Sequence, residues 1–570
     1  DGLFPDADAG TVDTILEEAG RFATDKLAPL GRIGDKTGAT FEAGSVTTAP
    51  GWREAYKEWS AAGWNALPSS PDFGGQGLPV LLNNRLYEMM NSASQAWLMY
   101  SGLSHSAYEC LVKIGTPEQK ALYLPKIVSG EWAGTMCLTE PHCGTDLGLL
   151  RTKAEPQADG SYRLTGNKIF ISAGEHDMAE NIVHLVLARI EGAPQGTKGI
   201  SLFVVPKFHV NGDGSLGDRN GVSCGSLEHK MGIHGNATCV MNYDGAKGWL
   251  VGEANRGLNA MFVMMNEARL AVGVQGLSQS EVAYQNAVAY AKDRLQGRAL
   301  TGPKFPDRPA DPIIVHPDVR RTLLSIKAFN EAARALIVWT GLNSDIAHRS
   351  SDDAQRQTAE DYMGLMTPVV KGVLTDLGFD NAVKAQQMFG GHGYIEEWGM
   401  SQFVRDARIT QIYEGANGIQ AMDLVGRKLG KDGGRAVMTF FNEVGAFCQE
   451  NAGGESLKAY IVPLQQGLGH LQQATMWFMQ NAMAKPDNAG AGATDYMHLF
   501  GLVAMGYMWA KMAKAAQARK AQGDGVADRM DAKLRTGRFY MERLMPETGT
   551  RLARISTGAD TTMALPMEAF

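Results

Sequence analysis

Cysteine is scarce. Six occur in 570 residues, at positions 110, 137, 143, 224, 239 and 448, and none pair as C-x-x-C. That spacing argues against a disulfide framework and a cysteine-built zinc site, and it favours a reducing compartment. The twelve histidines show no H-E-x-x-H or similar ligand spacing, so no metal is inferred. Basic charge is not in excess: 54 Lys and Arg stand against 61 Asp and Glu, a net charge of −7. Such a balance leaves no footprint for nucleic acid or an anionic membrane. Long apolar runs are missing as well. The stretch Leu502 to Ala510 is stopped by Lys511, far short of the ~20 residues of a membrane span. The first residues show no charged-then-apolar signal, and a cytoplasmic location is expected. With 44% apolar and 20% charged residues, disorder is excluded.

What remains is a globular chain long enough for several domains. Residues 1–131 read as helical; TVDTILEEAGRFATDKLAPL offers a threonine cap, apolar residues three and four apart, and a proline stop. Residues 132–252 change character. YRLTGNKIFISAG, NIVHLVLARI and GISLFVVPKFHV are short β-branched and aromatic runs between turn residues, which predicts a middle β domain. The helical period returns over 253–432, and a further helical block spans 433–570, with KPDNAGAGATD (485–495) reading as a flexible stretch. The expected fold is mainly α with a central β domain, and no repeat of 20–50 residues is visible.

Two motif matches fail on context. Gly212, Gly214 and Gly217 satisfy G-x-G-x-x-G, but DRNGVSCG follows, which cannot open the helix a dinucleotide site needs. GVSCG at 221–225 matches G-x-S-x-G, yet a nucleophile elbow needs a strand before Ser223 and a helix after it. A serine hydrolase using Ser223 is kept as a distant alternative. Three other segments carry more. CLTEPHCGTD (137–146) lies where helices give way to strands, and its small residues and hydroxyls would let a flat ligand approach the backbone. KIFISAGEH (168–176) is an apolar strand ending in Ser172. In RDARITQIYEGANGIQ (405–420), Glu414 follows Ile412 and Tyr413 and precedes Gly415 and Gly418. A carboxylate beside such apolar neighbours can be desolvated toward a useful base.

Together, in this order, these segments resemble the acyl-CoA dehydrogenase family over about residues 20 to 430, with QMFGGHGY (387–394) as a further matching stretch. The resemblance implies an N-terminal helical domain, a β-barrel-like middle domain, a helical bundle and an extra C-terminal helical domain. It implies FAD as cofactor and α,β-dehydrogenation of an acyl-CoA to the trans-2-enoyl-CoA. Glu414 becomes the base. Cys137, Leu138, Thr139, Phe170, Ile171 and Ser172 would line the flavin, with Phe170 where many members carry tryptophan. Arg294 and Gln296 fall in the flavin pyrophosphate segment, and Gln387, Gly390 and Gly391 would reach the cofactor from a neighbouring subunit. Thr145, Arg269, Tyr413 and Gly415 would meet the substrate. Ala416 departs from the threonine often found there, and DRLQGR (293–298) lacks a common phenylalanine. Some relatives keep the base one residue before the helix arginine; here that is Ala268, and Glu267 lies about 100° away around the helix. The C-terminal block resembles the longer members, above all those acting on 3-methylmercaptopropionyl-CoA to give methylthioacryloyl-CoA. Medium- or long-chain fatty acyl-CoA is the alternative substrate. An electron-transferring flavoprotein as acceptor and a homodimer complete the expectation.

Overall fold

The computed structural model describes residues 2–523 and 526–570. It divides into two compact units, Asp1–Ala271 and Val272–Phe570.

The first unit opens with helices α1 (Ala9–Arg21) and α2 (Ala28–Thr37), a hairpin of β1 (Thr40–Glu42) and β2 (Ser45–Thr47), then α3 (Trp52–Ala61), α4 (Val80–Ile114) and α5 (Pro117–Ser129). The cap of α1 is Asp8, whose side chain accepts from Thr11 N, and not a threonine. Pro29 does not stop the helix either. A π-helical turn, Phe22–Leu27, feeds α1 into α2 without a break, and Pro29 follows just after that turn. Trp52, Trp59, Trp97 and Tyr100 are fully buried and form the aromatic centre of this helical layer.

The strands follow: β3 (Trp132–Cys137), β4 (Lys153–Pro156), β5 (Tyr162–Ser172), β6 (Asn181–Ile190), β7 (Ser201–Pro206), β8 (Phe208–Val210), β9 (Leu216–Arg219), β10 (Val222–Leu227) and β11 (Thr238–Val251). Their pairing closes on itself. β11 pairs with β5, β5 with β4, β4 with β6, β6 with β7, and β7 again with the last residues of β11, Trp249 to Val251. This ring is the expected barrel-like domain. β3 adds parallel to β6, and β10 adds antiparallel to β11. The first eight residues of β6 and all of β7 are buried, which explains their unbroken apolar character. Both discarded motifs fall in this region. Gly212, Gly214 and Gly217 occupy the hairpin from β8 to β9, and Ser223 sits within β10 opposite Asn242. The segment after Ser223 is strand and turn, so no nucleophile elbow forms and the hydrolase alternative falls.

Helix α6 (Gly257–Asp293) begins in the first unit and ends in the second. The second unit continues with α7 (Pro317–Arg349), α8 (Asp353–Gln387), α9 (Met400–Arg408) and α10 (Asn417–Asp423). There α6 and α8 cross almost backbone to backbone: a Cβ on Gly378 would stand 2.3 Å from the carbonyl oxygen of Gly276. The last block is α11 (Arg435–Asn451), α12 (Lys458–Asn481), α13 (Asp487–Gln522), α14 (Ala527–Arg543) and α15 (Glu547–Ser556). Of the stretch 485–495, expected to be flexible, residues 487–495 instead form the start of α13. Gly492 there packs so closely on Phe478 of α12 that a Cβ would lie 2.9 Å from its ring. The small residues serve close helix packing. Helix α13 is anchored into the bundle, with Trp509 Nε1 donating to Ala328 O of α7 at 3.0 Å and Gly501 against Val373 of α8.

Candidate active site

The residues singled out in the sequence are divided between the two units. In the first, β3 ends at the buried Cys137, whose thiol is pushed up by burial and lies 3.7 Å from His184 Nδ1. The chain then turns through 138–146 and is fastened to β5. Ile169 N donates to Thr139 O at 2.9 Å, and Lys168 Nζ donates to Leu138 O at 3.0 Å. The structure thus brings 137–139 and 170–172 together. The fastener is a buried pair. Lys168 Nζ also lies 2.9 Å from Glu140 Oε1, and Glu140 accepts from Thr152 N, Thr152 Oγ1 and Arg151 N. Burial alone would raise the Glu140 carboxyl, but Lys168 and these donors outweigh it and hold it below its usual range. Burial in turn lowers the Lys168 ammonium, with Glu140 opposing. Glu140, His142 and Cys143 cluster within 4.8 Å, but the Lys168 ammonium on the same carboxylate disfavours a cation there. Neither Glu140 nor Lys168 was singled out from the sequence. A charged residue at the head of the apolar run KIFIS was the available signal.

Phe170 is 59% exposed and holds a left-handed backbone, φ 59°. A large apolar ring displayed on a strained residue of a strand is a costly arrangement that is retained at functional sites. Ile171 beside it is buried. The hydroxyls of Thr139 and Ser172 have no intramolecular partner among the described residues. Thr238, the cross-strand partner of Ser172, buries an Oγ1 that likewise has none. Hydroxyls without partners beside an exposed aromatic ring fit the edge and face of a planar heteroaromatic group such as a flavin. Thr238 was not anticipated; only its register opposite Ser172 reveals it. Thr145 is exposed next to Asp146, which caps a short 3-10 turn. Arg269 is buried on α6, over the Phe262 ring. Glu267, also on α6, lies near the half-buried His105 of α4, whose imidazole is pushed down mainly by desolvation.

In the second unit, Arg294 and Gln296 are exposed at the end of α6. Backbone bonds brace them: Ile313 N to Arg294 O at 2.8 Å and Gln296 N to Asp311 O at 3.0 Å. Gln387, Gly390 and Gly391 are exposed at the end of α8, and open space surrounds both glycines. Glu414 lies between α9 and α10 in a left-handed conformation, φ 59°, followed by Gly415 at φ 87°. Its Oε2 is sequestered from solvent. The turn is gripped from beneath. Lys371, fully buried on α8, donates to Gly415 O at 2.8 Å and to Asn417 Oδ1 at 2.7 Å. Gln420 Nε2 reaches the carbonyls of both Glu414 and Gly415 at 3.2 Å. Tyr413 is fixed by its hydroxyl, 2.5 Å from Gln275 Oε1. Ala416 gives α10 no side-chain cap, in keeping with its departure from threonine.

Models of the acyl-CoA dehydrogenase N-terminal, middle and C-terminal domains match residues 11–131, 135–246 and 255–429. A model described as acetyl-CoA dehydrogenase C-terminal like matches 440–566. The 3-methylmercaptopropionyl-CoA dehydrogenase of Ruegeria pomeroyi is 42% identical, covering 96% of this chain and 92% of the relative. The broad-specificity linear acyl-CoA dehydrogenase FadE5 of Mycobacterium tuberculosis is 34% identical over 100% of this chain and 96% of its own. The crystal structure of a Bacillus anthracis acyl-CoA dehydrogenase complexed with FAD superposes with a TM-score of 0.77 at 20% identity, covering 97% of this chain and 88% of that one. With relatives this similar along nearly the whole length, the chain belongs to the acyl-CoA dehydrogenase family.

Proposed function

We propose that the protein is an FAD-dependent acyl-CoA dehydrogenase in which Glu414 removes the α-proton of the bound thioester. The observation that carries this reading is the Glu414–Gly415 turn: two successive left-handed residues, held by Lys371 and Gln420, present a carboxylate with one oxygen shielded from water. An α C–H beside a thioester is a weak acid, so the carbonyl oxygen needs donors where negative charge develops. The rigid turn would aim the N–H and the carboxylate of Glu414 together, so that this N–H can serve as one such donor. FAD, when bound, supplies the acceptor for the hydride that leaves the β-carbon. Phe170, the hydroxyls of Thr139 and Ser172, and the backbone of Cys137 and Leu138 would hold its ring, with Ile171 buried behind. Arg294 and Gln296 would hold the pyrophosphate. Tyr413 would wall the thioester, while Thr145 and Arg269 would hold the coenzyme A portion.

The Ruegeria pomeroyi relative favours 3-methylmercaptopropionyl-CoA as substrate and methylthioacryloyl-CoA as product. The FadE5 relative, named for linear acyl-CoA, keeps a linear acyl-CoA as the competing class. Tyr394 (88% exposed), Ile395 and Trp398 form an exposed apolar patch next to Gly390 and Gly391. Such a patch suits a homodimer in which Gln387, Gly390 and Gly391 reach the neighbouring subunit's cofactor. An electron-transferring flavoprotein would reoxidise the enzyme, and the cytoplasm is the proposed location. No helix among the described residues is long and apolar enough to cross a membrane. The test is anaerobic addition of short, long and sulfur-containing acyl-CoA thioesters to purified protein. Bleaching of the flavin absorbance, fastest with the sulfur-containing thioester, is expected. A protein that cannot be loaded with FAD, or that no acyl-CoA bleaches, would overturn the reading.

A further inference from the structure

The base-bearing segment is clamped by one carboxylate at both ends. Asp376 of α8 accepts from Gln411 Nε2 at 2.8 Å and from Asn417 Nδ2 at 2.7 Å, both on Oδ1. These residues stand three before and three after Glu414. The second oxygen of Asp376 is taken by His498 Nε2 at 2.8 Å. His498 belongs to α13 of the C-terminal block, sits 122 positions from Asp376, and is itself buried. On the far side Asn417 Oδ1 accepts from Lys371, which also holds Gly415 O. A continuous chain of hydrogen bonds thus runs from the C-terminal block to the residue beside the base: His498, Asp376, Asn417, Lys371, Gly415.

We propose that His498 is a positioning residue for Glu414: through Asp376 the C-terminal block fixes the segment 411–417 and so sets the aim of the carboxylate. The inference rests on the reading of Glu414 as base. Its physical ground is that a turn with two left-handed residues stays in that conformation only while its surroundings over-determine it. Asp376 supplies that constraint, and without the His498 donor its carboxylate can rotate away from Gln411 and Asn417. The last block is then part of the active-site scaffold.

The test is single-turnover flavin reduction by acyl-CoA in the full-length holoenzyme, with the rate expressed per bound flavin. For His498→Ala the rate should fall by about 10- to 100-fold, as expected when a reacting group is misplaced by about an ångström. The apparent Kd for acyl-CoA and the flavin content should stay near wild type. His498→Gln, which keeps an N–H donor at similar reach, should recover most of the rate; a merely structural role for the imidazole would not produce that split. Asp376→Asn should be as slow as His498→Ala, and it carries the test if the alanine variant does not fold. Wild-type rates in His498→Ala or Asp376→Asn would overturn the proposal. So would a glutamine variant as slow as the alanine one, or a loss confined to Kd or flavin content. Glu414→Gln separates the two levels. If it still reduces flavin, the base reading fails; if it is dead while His498→Ala is fully active, only the present inference fails.

Discussion

Glu414 combines two demands that rarely meet in one residue: a left-handed backbone and a carboxylate. Glycine would satisfy the first without strain and fail the second. The conformation is worth its strain only if the backbone and the side chain act together on one substrate. Glu414→Gln keeps the turn and its N–H and loses only the proton acceptor. It should therefore bind FAD and acyl-CoA yet reduce flavin more than about 10²-fold more slowly, the lower range for losing a general base. Stopped-flow absorbance checks this, and near wild-type reduction would contradict it. Glu267→Gln should remain active by the same measurement, because Glu267 lies on α6 near His105 of α4 rather than on the turn between α9 and α10.

At the scale of elements, the loop 297–311 shows how one carboxylate can organise a segment that has no secondary structure of its own. Asp311 is buried and accepts from the backbone N–H groups of Ala299, Lys304 and Phe305, with Arg298 alongside. Burial pulls its carboxyl upward, but the three amides and Arg298 prevail and hold it at about 2, below the ordinary 3.8. A depressed folded-state value means the stabilisation is complete above pH 3.8 and is lost as the pH falls through about 2. Hydrogen exchange at Ala299, Lys304 and Phe305 should stay slow down to about that point. In Asp311→Asn it should be fast even at neutral pH, and Arg294 and Gln296 should lose their brace. Protection unchanged in that variant would refute the account. Elements of this kind mark the limit of what the sequence discloses. The apolar strand before Ser172, the aromatic approach to Glu414 and the change from helix to strand near 132 are local patterns, and they were legible. Lys371, Asp376 and His498 were not, because their partnership exists only once α8 and α13 pack. Each was visible merely as a charged or polar residue among apolar ones, in PVVKGVLTDL (368–377) or YMHLFGL (496–502). The stretch 485–495 was misread because glycine and alanine suit a linker and a tight helix crossing equally well. The β1–β2 hairpin was too short to show an alternating pattern.

At the scale of the whole molecule, the C-terminal block cannot be treated as an appendage. Tyr496, Leu499, Phe500, Val503 and Trp509 of α13 are all buried. A chain ending at residue 432 should therefore expose the faces of α7 and α8 and aggregate instead of behaving as a compact shorter enzyme, as size-exclusion chromatography would show. Soluble, flavin-loaded truncated protein would be the contrary result. The closed strand ring has a consequence in time. Its last contact is made by Trp249 to Val251, whereas β7 is complete at Pro206, so about 45 residues must be added before the ring can shut. At roughly 5–20 residues per second, the growing chain carries β6 and β7 with unpaired margins for about 2 to 9 seconds after β7 is made. The middle domain is thus obliged to wait on the ribosome as an open sheet. Stalled nascent chains ending before Thr238 should be cut readily by protease, and chains extended well beyond Val251 should resist.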